Sequence, residues 1–540
     1  MSIYLISNKE KEDEKIDSKI GEMILEAIQG KLSGLFEKMN DLGINFVSEA
    51  EKGDFLNLAI KKIHEDYLTH CMDKEKYCKT MVSDLRLQEN FKNVTAREPY
   101  TASFTIPEDL VDDFDVEIKA NSVNGLSGQK EGNTYTISGT PLLEDPKAPQ
   151  EVELVIKYKY KGWVEGKPVL ETSVKFAVNA NSRDLWNDNP TPEDIEYYKP
   201  DQECAYVKVE AKDGVEQKDI VAASVRGRSH AHENPGKPRD DDFKVSYCEK
   251  TGWYVMAVAD GAGSAKFSRQ GSKIACETVQ EYCKSCLTNS ENLESAIARF
   301  NEENAKENNV DAIKDARKAI GDLIYGVLGT AAVKAHKEIA AEVDAYNKAK
   351  KEKANEIAEQ AKALNPDAEP PVIPVVEAQM KDYATTLLIA ICKKFKFGWF
   401  VATWWVGDGA VGLYKQGESI KILGEPDEGE FGGQTRFVTM RDIFADAASI
   451  YKRLRFNIVP DFTALMLMTD GVSDAKFETD VNLNNIEKWD ALWNDIQGEN
   501  EDKCTVELTD DNSESQYQLM QWLNFYTKSN HDDRTIAILY

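Results

Sequence analysis

The 540-residue sequence lacks any uncharged apolar run near the roughly 20 residues that span a bilayer, so no membrane helix is expected. It has no GxxxxGK loop, which argues against ATP or GTP held on a phosphate-cradling turn. Its nine cysteines are odd in number and scattered. Cys283 and Cys286 form a CxxC, but no second pair completes a four-ligand zinc site, and such thiols fit a reducing cytoplasm. No secretory leader is read in MSIYLISNKEKEDEK, whose short apolar run is followed by charges. Positive charge is also in short supply: 66 Lys and Arg face 94 Asp and Glu, a net charge of -28. That surface repels nucleic acid and anionic membranes, and neither is an expected partner.

What is present divides the chain. Ile16, Ile20, Ile24, Ile28, Leu32, Leu35, Phe36 and Met39 recur at helical spacing, and a second helical stretch runs over about 55–91. Its His64, His70, Cys71 and Cys78 match no metal-ligand spacing and read as residues of a helical hairpin. The segments TYTISGTP, EVELVIKYKY and ETSVKFAVNA alternate apolar and polar residues, which predicts a small antiparallel β-sandwich over 95–181 after a helical region 1–94. The run NGLSGQKEGNTYTISGTP resembles bacterial immunoglobulin-like modules, which bind or space. Residues 182–202 are polar and contain proline, and read as a linker. A further domain is expected over 203–540. It carries a charged helical insertion at about 290–382, read as a solvated amphipathic helix followed by a Pro-rich loop. A fragment starting at 203 is expected to fold alone.

Four acidic positions stand at the ends of buried-looking strands: Asp260 in VADGAGSA, Asp408 in VGDGAVGLY, Asp470 in LMTDGVSDA, and the pair Asp532 and Asp533 before TIAILY. A single one is an ordinary Asp-Gly turn. Four in one domain repel one another unless cations sit among them, and hard divalent ions with oxygen ligands do this. A two-metal site lowers the pKa of a bridging water and aims it at phosphorus.

The ordered set RGRSHAHENPGKPRDDDF, VADGAGSAKFSRQGSKIA, YATTLLIA, VGDGAVGLY, LMTDGVSDA and DDRT resembles the PP2C (PPM-type) metal-dependent serine/threonine phosphatases, bacterial branch, over about 225–540. The resemblance implies an α+β fold, a double β-sandwich flanked by helices with metals in a cleft at one end. It implies that Asp260 bridges two Mn2+ or Mg2+ ions, that the Gly261 carbonyl binds one of them, that Asp470 and Asp532 complete the direct carboxylates, and that Asp241 holds metal-bound water. Asp533 stands where the family often has Asn. Relatives carry acids at the positions of Asp408, Asp470 and Asp474, which implies a weaker third ion. The phosphate-clamping Arg of many relatives has no plain counterpart: His230 or Arg228 is expected to meet the phosphate, with a structural hydrogen bond as the alternative for His230. Ala262 replaces the His of many eukaryotic relatives. The expected substrate is a phosphorylated protein, with a partner kinase suggested by family analogy alone. Two other readings remain open at this point, a catalytically idle metal-binding scaffold and a small-molecule phosphoesterase.

Overall fold

The computed structural model describes residues 74–540 apart from 121, 212–213, 307–308, 366–371 and 428–434, together with Leu58 and Lys62. The chain forms two compact units that divide between Leu185 and Trp186. The helix expected over 16–39, and His64, His70 and Cys71, lie outside the described residues. Among the described residues no helix is long and apolar enough to cross a membrane.

Among the described residues the first unit contains helix α1 (Lys74–Asp84) and seven strands: β1 (Val94–Thr95), β2 (Tyr100–Thr105), β3 (Val111–Lys119), β4 (Val123–Glu131), β5 (Thr134–Leu143), β6 (Gln150–Tyr160) and β7 (Leu170–Asn179). They form two sheets, ordered β1-β7-β6-β3 and β2-β5-β4. The period-2 pattern explains the packing: Tyr100, Ala102 and Phe104 of β2 point inward while their neighbours face solvent. Phe104 and Ile137 of one sheet meet Phe114, Leu154, Ile156 and Phe176 of the other in one core. Cys78 and Val82 of α1 belong to that core as well, and the Cys78 thiol donates to the Leu110 carbonyl at 3.2 Å.

The second unit has a layered architecture that positions the site. One sheet is built from β10 (Asp242–Cys248), β11 (Trp253–Ala259), β12 (Leu387–Phe395), β13 (Gly398–Val406) and β16 (Leu454–Val459), in the order β10-β11-β12-β13-β16. The other is built from β8 (Gln202–Val207), β9 (Ile220–Val225), β14 (Ala410–Lys415), β15 (Ser419–Gly424), β17 (Ala464–Met468) and β18 (Arg534–Leu539), in the order β15-β14-β17-β18-β9-β8. All pairings in both are antiparallel. Strands such as WYVMAVA read as unbroken apolar runs because both of their faces are covered. In β11, Tyr254, Met256 and Val258 pack against Leu465, Leu467, Ala537 and Leu539 of the other sheet. Trp253, Val255, Ala257 and Ala259 face helices α2 (Ser268–Leu287), α3 (Glu291–Asn304), α4 (Val310–Ile324) and α5 (Thr330–Leu364). The outer face of the second sheet is covered by α6 (Asp470–Phe477), α7 (Ile486–Ile496) and α8 (Ser515–Trp522), with Trp489, Trp493 and Trp522 in the packing. Helix, sheet, sheet, helix is the double sandwich expected from the resemblance.

Two sequence expectations change. The stretch 290–382 is not a solvated appendage throughout. Ile320, Ile324, Leu328, Ala331, Ala332, Ala335, Ile339 and Val343 are buried in the helix–sheet core, whereas no described residue of α5 beyond Val343 is buried. The charges of α5 lie on the face away from the sheet, so a high charge content concealed an apolar stripe. The linker reading of 182–202 also fails for most of its length, because the compact second unit begins at Trp186. Lys199 and Thr191 are buried, and the Tyr197 hydroxyl lies 3.0 Å from that of Tyr383. Thr191 donates to Asp201 at 2.8 Å and accepts from Arg226 at 2.7 Å. Polar composition suggested solvent, but each of these polar groups has a partner inside the fold.

A fragment 186–540 is therefore expected to fold cooperatively. A fragment 203–540 loses Lys199 and strands the buried Asp242, and should be less stable by about 3 kcal/mol or more in a urea melt. Equal melts would show that 186–202 is a linker after all.

Candidate active site

The antiparallel registers bring the acidic positions together. Ala259 pairs with Asp242, so Asp260 and Asp241 leave the same edge of the first sheet. Met468 pairs with both Ala410 and Ile536, so Asp470, Asp408 and the Asp532 and Asp533 pair leave one edge of the second. Side-chain oxygens of Asp260, Asp408 and Asp470 lie within 4.8 Å of one another. A second cluster, within the same limit, joins His230, Asp532 and Asp533. Asp408, expected only at a third ion, thus shares the first cluster. Asp474, half-buried on α6, lies outside that trio but close enough for Asp408 to act on it.

Each acid is held by its backbone or by a hydroxyl. Asp260 donates its N–H to Thr386 Oγ1 at 2.8 Å, and its carbonyl accepts from Thr386 N–H and Thr385 Oγ1, both at 2.8 Å. The two threonines belong to YATTLLIA, and Thr385 also forms a bridge with Gly261. A Cβ on Gly261 would sit 2.6 Å from the Asp240 carbonyl oxygen, so only glycine fits. Asp241 is fully buried. Its Oδ2 accepts from Thr469 Oγ1 at 2.9 Å and Thr535 Oγ1 at 2.7 Å, while its Oδ1 is buried without a hydrogen-bond donor and the carboxyl neighbours that of Asp260. Oδ1 of Asp408 and of Asp470 are likewise buried without a hydrogen-bond donor.

Electrostatics follow the geometry. Burial, then the charges of Asp470, Asp241 and Asp532, push the Asp260 carboxyl well above the usual range. Asp470 is raised in the same way by burial, then Asp408 and Asp532. Burial and Asp533 push Asp241 up to about 7, and burial, Asp408 and Asp480 push Asp474 up to about 6. A half-buried carboxylate cluster with unpartnered oxygens on Asp408 and Asp470 and little protein cation among them matches the oxygen-donor set that hard divalent ions take.

Asp533 is of a different kind. Its Oδ1 accepts from Gly227 N–H at 2.6 Å and its Oδ2 from Asp240 N–H at 2.5 Å, tying three separate segments together. Despite burial, His230 and these N–H groups hold its carboxyl low. His230 Nδ1 lies 3.2 Å from Asp533 Oδ1, as an ion pair off the line of a hydrogen bond. Burial opposes its protonation, but Asp533, Asp240 and Asp532 together push it up to about 10, so the imidazole is cationic at neutral pH. Arg228 is half-buried, donates to the Asn524 carbonyl at 3.2 Å and lies over the Tyr526 ring. Arg239 is turned inward, onto the carbonyls of Pro200 and Asp241 and the carboxylate of Glu203. Beside the site an open groove of about 810 Å³ is lined by Trp186, Ser229, Asp474, Glu478, His531 and Asp532, among others. Sequence reasoning missed the supporting residues Thr469, Thr535 and Lys199. The threonines sat inside quoted motifs, whereas Lys199 gave no signal.

A sequence model of the protein phosphatase 2C family matches residues 226–524, over half the chain. No curated protein matches significantly. Among solved structures, a bacterial serine phosphatase is similar at 13% identity, covering 59% of this chain and 96% of its own, with a TM-score of 0.28. A serine-threonine phosphatase 2C from Toxoplasma gondii is similar at 12% identity, covering 62% and 98%, with a TM-score of 0.30. The catalytic domain of the phosphatase PstP, in complex with two manganese ions, is similar at 12% identity, covering 63% and 98%, with a TM-score of 0.26.

Metal-free, Asp260, Asp470 and Asp241 have folded-state pKa values above those of unfolded aspartate. The contribution of Asp241 to stability is fully present below about pH 4 and is lost as pH rises through about 7. The thermal shift caused by saturating Mn2+ should therefore grow from pH 5 to pH 8. A shift that is flat across this range in calorimetric scans would mean the carboxylates do not take up the ion.

Proposed function

Given that the chain belongs to the protein phosphatase 2C family, the PPM-type protein serine/threonine phosphatases, we propose that it hydrolyses phosphoserine and phosphothreonine in proteins at the acidic cluster, using Mn2+ or Mg2+. The observation that supports this reading best is the convergence of Asp260, Asp408 and Asp470, the last two with a buried oxygen that no protein donor satisfies. Asp260, Asp470, Asp532 and the Gly261 carbonyl would hold two ions, with Asp408 and Asp474 serving a third. Bound there, the ions supply charge neutralisation, activation of water as the nucleophile and stabilisation of the phosphoryl oxygens.

The residues divide the remaining work. Asp241 has one oxygen taken up by Thr469 and Thr535, so its Oδ1 is the atom left to accept a proton from water and orient it. His230 and Arg228 are the groups we assign to the substrate phosphate, His230 while it remains paired with Asp533. The open groove beside Asp532 is where we place the peptide segment flanking the phosphoresidue. A phosphorylated protein is therefore the proposed substrate, and a partner kinase the proposed source of it.

Turnover of a phosphothreonine peptide by the full chain should require Mn2+ or Mg2+ and stop with a chelator. Asp260→Asn should lower kcat by more than about a hundredfold with the melting temperature preserved. Hydrolysis of p-nitrophenyl phosphate without the peptide would favour a small-molecule phosphoesterase. Metal binding with neither activity would identify an idle scaffold, and near-normal turnover by Asp260→Asn would remove Asp260 from the centre.

A further inference from the structure

Lys199 is a buried lysine in a segment whose composition reads as a linker. Its side chain is 6% exposed. An ammonium so placed costs several kcal/mol unless all its protons are taken up. They are: Nζ lies 2.8 Å from Asp242 Oδ2, and donates to the Asp241 carbonyl at 2.8 Å and to Ser272 Oγ at 3.3 Å. Ser272 Oγ donates in turn to the Asp240 carbonyl at 2.5 Å. Lys199 thus reaches all three consecutive aspartates, two directly and one through Ser272.

The Asp241 carbonyl accepts from a second buried cation, Arg239 Nη1 at 3.0 Å. Two cations hold the Asp241–Asp242 peptide from one side, while the Thr469 and Thr535 hydroxyls hold the Asp241 carboxylate from the other. With both ends fixed, the carboxylate has one orientation. Asp242 opens β10, and its charge is what keeps Lys199 in place: Lys244 Nζ stands farther off, at 3.8 Å. We propose that Lys199 is a positioning residue of the catalytic centre: from the segment ahead of β8 it fixes residues 240–242 so that the Asp241 carboxylate faces the acidic cluster. The proposal rests on the reading of Asp241 as part of a metal centre and extends that centre into 186–202.

The test must separate positioning from the burial of an orphaned charge. Lys199→Met alone leaves the buried Asp242 with only the more distant Lys244 as an ion-pair partner. The double variant Lys199→Met/Asp242→Asn removes both charges and is the decisive protein; Lys199→Gln, neutral but still a donor, is the second. Full-length proteins are titrated with Mn2+ by calorimetry, and kcat on p-nitrophenyl phosphate is followed against Mn2+ concentration. The double variant should bind Mn2+ about tenfold or more weakly and need correspondingly more metal for half-maximal rate, with Lys199→Gln in between and Lys199→Arg nearest wild type. If whichever of the double and Gln variants folds binds Mn2+ and turns over as wild type does, Lys199 only satisfies Asp242 and the proposal is overturned. A wild-type protein that binds no Mn2+ would sink the functional reading together with the proposal, so the two failures are distinguishable.

Discussion

Mutual repulsion among converging, half-buried carboxylates is the constraint on which the second unit is organised. Oxygens of Asp260, Asp408 and Asp470 lie within 4.8 Å of one another. Two unit charges at that distance cost at least about 3.5 kcal/mol at an effective dielectric of ~20, so three ionised acids cost roughly 10 kcal/mol. That is of the order of the whole stability of a domain. The fold can keep these groups together only by holding protons on them, which the raised pKa values of Asp260 and Asp470 express, or by taking up cations. Two sheets covered on both faces supply the stiffness: the strands that deliver the acids are buried along their whole length.

Most of this was legible in the sequence because it rests on strand ends. An apolar run followed by Asp-Gly announces where a carboxylate leaves a sheet, and four such runs in order identify the edge at which they meet. Thr385 and Thr386 were visible as part of YATTLLIA, and their role follows once β12 is paired with β11, since they then face the backbone of Asp260. The placement of Asp408 beside Asp260 was not legible, because spacing along the chain does not reveal which strand ends adjoin across two sheets.

The regions misread share a cause. The α5 segment is rich in Lys and Glu, yet its first half is core, because Ala331, Ala332, Ala335, Ile339 and Val343 form a stripe that charge counting hides. Residues 186–202 are polar and Pro-containing, yet Thr191, Tyr197 and Lys199 are tied to Arg226, Tyr383 and Asp242. Composition reports how much a segment would gain from water, not whether the protein offers a replacement. Where the fold supplies a partner, a polar residue is fixed in the interior no less firmly than an apolar one.

That distinction divides the aspartates into two classes. Asp242 is paired with Lys199, and Asp533 with His230 and two backbone N–H groups, and both are held low despite burial. Asp260, Asp470 and Asp241 are buried among like charges and are pushed up. The protein does not lack buried cations, since Lys199, Arg239 and His230 all lie close by. Each is engaged by an acid, or by carbonyls on the far side of the chain, and so none neutralises the cluster. An arrangement that directs its own cations to supporting acids, and leaves the converging ones uncompensated, is stable in its ionised form only when charge arrives from outside. The supporting acids thereby fix where the uncompensated ones point.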